Sequence, residues 1–234
     1  MNPWKDKRVI GNATLYLGDA LDVIPALDQV DAIITDPPYG VALGNTKSGQ
    51  ERERGQIGYE SFDDTPEYIA AVIVPAFCAG LEKAKRAALT PGNRSAFLYP
   101  KPADVGVWYN QAGTGRGKWG FLLAHLILYY GTDPNAGKRS TASSTWGLTK
   151  HDDMSGDRNN THPCPKPLQF MEWMVGKASL VNESVLDPFM GSGTTGYACM
   201  KTNRRFIGIE IEPKYYEIAC ERIENAQRQT RMFA

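Results

Sequence analysis

"VLDPFMGSGTTG", Val185 to Gly196, joins an apolar run to a carboxylate, a proline and a glycine-rich turn. The run reads as a buried strand that ends at Asp187. The turn follows, and a helix is expected to start near Thr194. Glycines let the backbone approach a ligand closely, and the free N–H groups of a helix start favour an anionic group. Downstream, "FIGIEIEP" places Glu210 at the end of the next strand. An acid there usually accepts the two hydroxyls of a ribose. A glycine turn and a terminal acid in one β-α-β unit imply an α/β fold and an adenosine-containing ligand.

The spacing Gly191-x-Gly193-x-x-Gly196 also fits a dinucleotide fingerprint. Asp187 argues against that ligand, because its carboxylate would repel a pyrophosphate. A phosphate-binding loop is excluded by the missing Gly-Lys-Ser/Thr. An amino-acid nucleoside suits both an acid and a helix N-terminus. S-adenosylmethionine, with its ammonium, carboxylate and ribose, is the preferred ligand on this reading.

Working outward, "ATLYLGDAL" reads as a strand ending at Gly18-Asp19, and "ALDVIPAL" as a short helix. "VDAIITDPPYG" is a second strand with the continuous apolar run of a sheet covered on both faces. It must stop at Pro37 and Pro38, since neither has an N–H for a central ladder. The stop presents Asp36 and Tyr39. "TPEYIAAVIVPAFCAGLEKAKRAAL" is expected to be a helix capped by Thr65, opened by Pro66, and kinked or broken at Pro75. "SAFLYP" and "FLLAHLILYYGT" read as strands, "PKPLQFMEWMVGKAS" as a helix, and "PKYYEIACERIENAQRQ" as a closing amphipathic helix. Residues 41–60 and 131–161 are polar, irregular loop insertions, of the kind that is usually functional or disordered. The whole chain, 1–234, reads as a single domain built on a mostly parallel sheet.

Net charge is zero, so any polyanion must be met by local patches. Cys78, Cys164, Cys199 and Cys220 show no metal-ligand spacing, and no metal is expected. Reduced thiols, a polar start without an apolar signal segment, and no run long enough to span a bilayer suggest a cytoplasmic protein with no membrane partner.

Asp36-Pro37-Pro38-Tyr39 early and "DPFMGSGTT" late resemble the motifs of the β-class DNA amino-methyltransferases, which act on adenine N6 or cytosine N4. "THPCPKPLQFMEWMV" is similar to the family's H-P-x-x-K-P segment, and "LYLGDALDVIPAL" to the segment whose aspartate reads the cofactor adenine. The resemblance implies a Rossmann-like S-adenosylmethionine-dependent methyltransferase fold with a seven-stranded sheet and circularly permuted motif order. The strand that leads to Asp19 then comes first and the helix after Glu210 last, so the two termini should lie near each other.

It further implies that Asp36, Pro37, Pro38 and Tyr39 are catalytic. The Asp36 carboxylate and Pro37 carbonyl would accept the amine hydrogens, with Tyr39 stacked on a flipped-out base of double-stranded DNA. Asp19, Asp36, Lys166, Asp187, Phe189, Gly191, Ser192, Gly193, Thr194 and Glu210 would face the S-adenosylmethionine cofactor. Asp19 equally suits a helix N-cap. Lys47, Arg52 and Arg54 in one loop, and Arg116, Lys118, Lys138 and Arg139 in the other region, with Trp119 and Trp146 interleaved, are candidate DNA contacts. Asp at the first motif position leans to adenine N6. Cytosine N4, an RNA adenine and a non-catalytic cofactor-binding subunit stay open as alternatives. A homodimer is expected, since the segment ahead of the H-P-x-x-K-P motif is small for holding DNA. The biological setting stays open between restriction-modification, a solitary regulatory methylase and a phage-borne protective enzyme.

Overall fold

The computed structural model describes residues 2–40, 64–110, 116–117, 120–121, 124–136, 145–148 and 166–232. In chain order its strands are β1 (Asp6–Ile10), β2 (Ala13–Leu17), β3 (Val30–Thr35), β4 (Ala84–Leu89), β5 (Asp104–Asn110), β6 (Arg116–Gly117), β7 (Gly120–Phe121), β8 (Ala124–Tyr130), β9 (Thr145–Leu148), β10 (Ser184–Asp187) and β11 (Arg205–Glu210). The helices are α1 (Ala20–Val23), α2 (Pro66–Tyr68), α3 (Val74–Leu81), α4 (Leu168–Ala178), α5 (Thr194–Lys201) and α6 (Pro213–Met232).

A nine-stranded sheet runs in the order β1-β2-β11-β10-β3-β4-β8-β5-β9. From β2 through β11, β10 and β3 to β4, every pairing is parallel. β8 is antiparallel to both β4 and β5. The seven strands from β2 to β5 match the expected sheet, and β1 and β9 add one strand at each edge. β1 hairpins onto β2 through Gly11, whose φ of 56° is a left-handed conformation that glycine adopts freely. Its alternating half-exposed pattern is that of an edge strand.

Successive residues of the central strands feed opposite cores. Ala32 and Ile34 of β3 pack with α4, α5 and α6, while Ile33 packs with α1 and α3. The continuous apolar run therefore marked a sheet covered on both faces. Glycine serves this packing at Gly196, where a Cβ would lie 2.5 Å from Ile223 Cδ1. Both strands of the N-terminal hairpin pack on the last helix: Arg8 of β1 pairs with Glu217 of α6 at 2.6 Å, and the Tyr216 hydroxyl donates to Asp6 at 3.1 Å.

Two expected elements are corrected. The long helix ends at Leu81, and "AKRAAL" is strand β4, not helix. Ala87, Ala88 and Leu89 fill the slot between β3 and β8, so the tertiary fit overrides helix propensity. "SAFLYP" is not a strand but a 3₁₀ turn, Ser95–Leu98, lying past the end of β4. The Thr65 cap stands: its hydroxyl accepts from Tyr68 N at 3.2 Å, with Pro66 next. Pro75 has no N–H for the Ala71 carbonyl, and the chain widens into a π turn over Ile69–Ile73 just before α3.

Candidate active site

Five parallel strands release the chain at one edge of the sheet. β2 leads to Asp19, β11 ends at Glu210, β10 ends at Asp187, β3 leads to Asp36 and β4 leads to Thr90. These residues come from distant parts of the sequence and meet only because the strands are parallel and in register. The strand order turns back between β10 and β3, which is where such sheets bind ligands.

One pocket opens there, lined by Gly18, Asp19, Asp36 to Tyr39, Asp64, Tyr68, Lys166, Asp187 to Ser192, Thr194 and Glu210, among others. Of the expected residues, Asp19, Asp36, Pro37, Pro38, Tyr39, Lys166, Asp187, Phe189, Gly191, Ser192, Thr194 and Glu210 all line it. Gly193 is not part of the lining. Its φ of 80° caps α5, and a Cβ there would lie 2.9 Å from Ala219. Lys47, Arg52, Arg54, Lys118, Lys138, Arg139 and Trp119 lie outside the described residues, and of Arg116 and Trp146 only the backbone is described.

At one end, the Glu210 carboxylate is fixed by two backbone donors, Gly191 N at 2.9 Å and Glu212 N at 2.8 Å. Burial lifts this carboxyl to about 7, against the pull of those two N–H groups. Asp19 accepts from Leu21 N at 2.8 Å, so it caps α1 and lines the pocket at once. Tyr68 lines the same region, its hydroxyl pushed up to about 12 by burial and by the charges of Asp19 and Glu210. In the middle, Asp187 is only 2% exposed. It accepts from the Thr35 hydroxyl at 2.6 Å and from Phe189 N at 3.1 Å, and burial raises it to about 6. Thr35 thereby ties the end of β3 to the glycine turn. Arg222 of α6 donates to the Ser192 and Thr194 hydroxyls at 3.0 and 2.9 Å, holding the start of α5.

At the other end, Asp36 is clamped from both sides. Its Oδ1 accepts from the Tyr39 hydroxyl at 2.6 Å and from the fully buried Thr90 hydroxyl. Its Oδ2 pairs with the Lys166 ammonium at 2.9 Å. Burial, then the Asp36 charge, pushes the Tyr39 phenol well above its usual value, so it remains a donor. The Lys166 ammonium stands 4.6 Å over the Tyr39 ring and 5.7 Å over that of Trp108. It thus serves the Asp36 end of the pocket. Behind it, Trp108 stacks between His125 (5.0 Å) and Phe170 (4.9 Å). Burial and the Lys166 charge hold His125 down to about 4, so the imidazole is neutral.

Sequence reading missed Thr90, Tyr68, Arg222 and the Thr35–Asp187 bond. None sits in a recognisable spacing; each acts through the third dimension. Thr90→Val keeps the shape but removes a donor from Asp36. Turnover is expected to fall on the order of tenfold, with cofactor affinity unchanged. Comparing kcat with a directly titrated cofactor Kd checks this, and an equal loss in both would refute a positioning role.

The two raised carboxyls predict a pH dependence of stability. Folded Glu210 titrates near 7 and Asp187 near 6, against ordinary values of 4.5 and 3.8. Across that window the folded protein holds protons that the unfolded chain has released. Their contribution is full below the ordinary values and is lost as pH rises through about 6 and 7. The ligand-free melting temperature should therefore drop from pH 5 to pH 8, and drop less in Glu210→Gln. Equal drops in both proteins would show that Glu210 is not the source.

A parallel α/β sheet that brings an acid, a glycine turn and a clamped Asp-Pro-Pro-Tyr motif into one pocket is the arrangement of the Rossmann-like methyltransferase fold. Comparison with known proteins agrees. The family model described as DNA methylase, of the N6/N4 methyltransferase type, matches residues 108–221. Type II methyltransferase M.HpaI of Haemophilus parainfluenzae is 34% identical over 90% of this chain and 74% of its own length. Type II methyltransferase M2.DpnII of Streptococcus pneumoniae is 38% identical over 38% of this chain. That match, like the one to M2.LlaDCHI of Lactococcus lactis, spans 32% of the relative's length. Among solved structures, the M1.HpyAVI–SAM complex superposes with a TM-score of 0.59 at 25% identity, covering 90% of this chain and 98% of the other. The cytosine-N4-specific PvuII DNA methyltransferase shares the fold at a TM-score of 0.68 and 14% identity, over 97% and 95% of the two chains. The chain belongs to the Type II DNA methyltransferases of the N6/N4 amino-methylating family.

Proposed function

We propose that the chain methylates the exocyclic N6 of an adenine flipped out of double-stranded DNA, with S-adenosylmethionine as donor. The observation that carries this reading is the clamped Asp36 carboxylate, which shares one pocket with Glu210, Asp19 and the glycine turn. The lining fits the donor. Glu210 keeps free lone pairs on both oxygens for ribose hydroxyls, Phe189 and Tyr68 offer aromatic surface, and the turn at Gly191 and Ser192 offers small residues at a helix start. When bound, S-adenosylmethionine supplies a methyl group on a positively charged sulfur.

The chain's own residues do the rest. An adenine amine is a poor nucleophile, because its lone pair is delocalised into the ring. Acceptors at both amine hydrogens, the Asp36 carboxylate and the Pro37 carbonyl, draw the nitrogen toward a tetrahedral shape. Tyr39, Thr90 and Lys166 hold Asp36 in place beforehand, so little reorganisation accompanies the reaction. The base stacks on Tyr39, and its amine donates to the remaining lone pair of Asp36 Oδ2, beside the Lys166 ammonium. Asp36 then accepts the surplus proton of the methylated amine. Lys47, Arg52 and Arg54 of residues 41–60, Arg116 and Lys118, and Lys138 and Arg139 of residues 131–161 are the cations this reading assigns to the phosphates.

The test is transfer from labelled S-adenosylmethionine to unmethylated plasmid DNA and, in parallel, to total RNA, with digestion to nucleosides and identification by mass. N6-methyladenine in DNA supports the proposal. N4-methylcytosine would move the target to cytosine, and label in RNA alone would overturn the DNA reading.

A further inference from the structure

We infer that Phe97 is an apolar wedge that enters the DNA helix beside the flipped base, with Arg94 and Lys101 gripping phosphates on either side. This rests on the DNA reading above and adds the group that holds the duplex open. Phe97 is 87% exposed and Leu98 42%. The chain is anchored on both sides of them. Ser95 is buried and its hydroxyl donates to the Tyr39 carbonyl at 2.7 Å. Ala96 N donates to the Gly92 carbonyl at 3.0 Å. Gly92 lies so close to Tyr39 that a Cβ there would be 2.7 Å from the ring. Beyond the wedge, Tyr99 is buried edge-on against Phe77 at 5.6 Å, and Tyr130 donates its hydroxyl to the Pro100 carbonyl at 2.8 Å.

The result is a short rigid turn fixed at both ends, with its largest apolar side chain turned outward. The turn follows β4, whose last residue Leu89 is in register with Thr35, so it leaves the sheet at the edge that carries Asp36. It also packs on the π turn Ile69–Ile73, from which Val72 and Ile73 line the pocket. Folding gives no reason for a phenylalanine in water at this place. Arg94 and Lys101 are both exposed, and residues 90–103 contain no acid. An apolar tip between two cations is complementary to a base stack between two phosphate backbones. A base that leaves the stack opens a gap, and a side chain that fills it offsets the lost stacking. The hydroxyl of Ser95 sets the wedge at a fixed offset from Tyr39, so one rigid piece holds both the gap and the base.

The experiment compares wild type, Phe97→Ala and Phe97→Trp on two duplexes carrying the site mapped in plasmid DNA. In one the target adenine is paired; in the other it faces an abasic site and is already loosened. Phe97→Ala should methylate the paired duplex on the order of tenfold more slowly, yet the abasic duplex at a near wild-type rate. Phe97→Trp should restore the paired rate, and cofactor affinity should not change. With 2-aminopurine at the target position, the fluorescence rise on binding should shrink in Phe97→Ala. An equal loss on both duplexes, or no loss on either, overturns the wedge. An equal loss accompanied by a dimer becoming a monomer in sedimentation assigns Phe97 to contact with a second copy of this chain instead. Wild-type enzyme inactive on both duplexes would overturn the DNA reading itself, and the wedge with it.

Discussion

Asp36→Ala is expected to lower methyl transfer to DNA by about a thousandfold or more, while S-adenosylmethionine binds within a few-fold of wild type. The asymmetry follows from position. Asp36 sits at the end of the pocket held by Tyr39, Thr90 and Lys166, away from the Glu210 end that suits a ribose. On the proposed mechanism, removing its carboxylate deletes the acceptor for the target amine and the route for its proton. It also leaves Lys166, a buried ammonium, without that partner. Weakening the pairing of a buried charge is costly, so some loss of stability is expected on top of the loss of rate. Asp36→Asn separates the two effects. It keeps volume and one acceptor oxygen but turns an amide toward Lys166 or toward the substrate amine. Its rate should fall nearly as far. Single-turnover rates with saturating cofactor, alongside calorimetric titration of the cofactor, make the measurement. If the variant kept a rate within tenfold of wild type, Asp36 would not be the acceptor. If cofactor binding vanished along with the rate, the carboxylate would belong to the cofactor site.

What was legible in the sequence was whatever is written along the chain. The β10–α5–β11 unit shows its strand, turn, helix and acid in order, and the structure places Asp187, Gly191, Ser192, Thr194 and Glu210 together as expected. The Asp36–Tyr39 stop was legible because proline cannot continue a ladder. Helix α3 and strand β4 were run together because "LEKAKRAAL" carries good helix formers and only its neighbours β3 and β8 make it a strand. β1 was passed over because an exposed edge strand resembles a polar terminus. In the site, the hydrogen bonds Thr35–Asp187, Thr90–Asp36 and Arg222–Ser192 join residues 152, 54 and 30 positions apart. Such separations carry no local pattern. Lys166 shows the intermediate case: its motif could be recognised, but its partner Asp36, on another strand, could not.

Glu210→Ala is expected to produce the second large effect, weakening S-adenosylmethionine binding on the order of a hundredfold and destabilising the fold as well. The acid does two jobs with one carboxylate. Each oxygen already accepts a backbone N–H, from Gly191 on the glycine turn and from Glu212 at the start of α6. The remaining lone pairs are the ones a ribose can use. Alanine would leave both N–H groups without that acceptor, at about 1–3 kcal/mol for the buried Glu212 N–H and less for the part-buried Gly191 N–H. The turn would lose the bond that sets its height over the sheet, so the cofactor would lose both the acid and the cradle. Glu210→Gln divides these roles. One oxygen remains for one backbone N–H, while the amide group faces the other donor and cannot accept from a ribose hydroxyl. Gln should thus recover part of the stability and little of the affinity. The pH dependence of binding gives an independent check. With Glu210 raised to about 7, cofactor affinity in the wild type should increase as pH rises through that value, because the ionised carboxylate is the better acceptor. In Glu210→Gln that increase should be absent. A variant that bound cofactor normally at every pH would remove Glu210 from the ribose site and leave it as a clasp for the glycine turn.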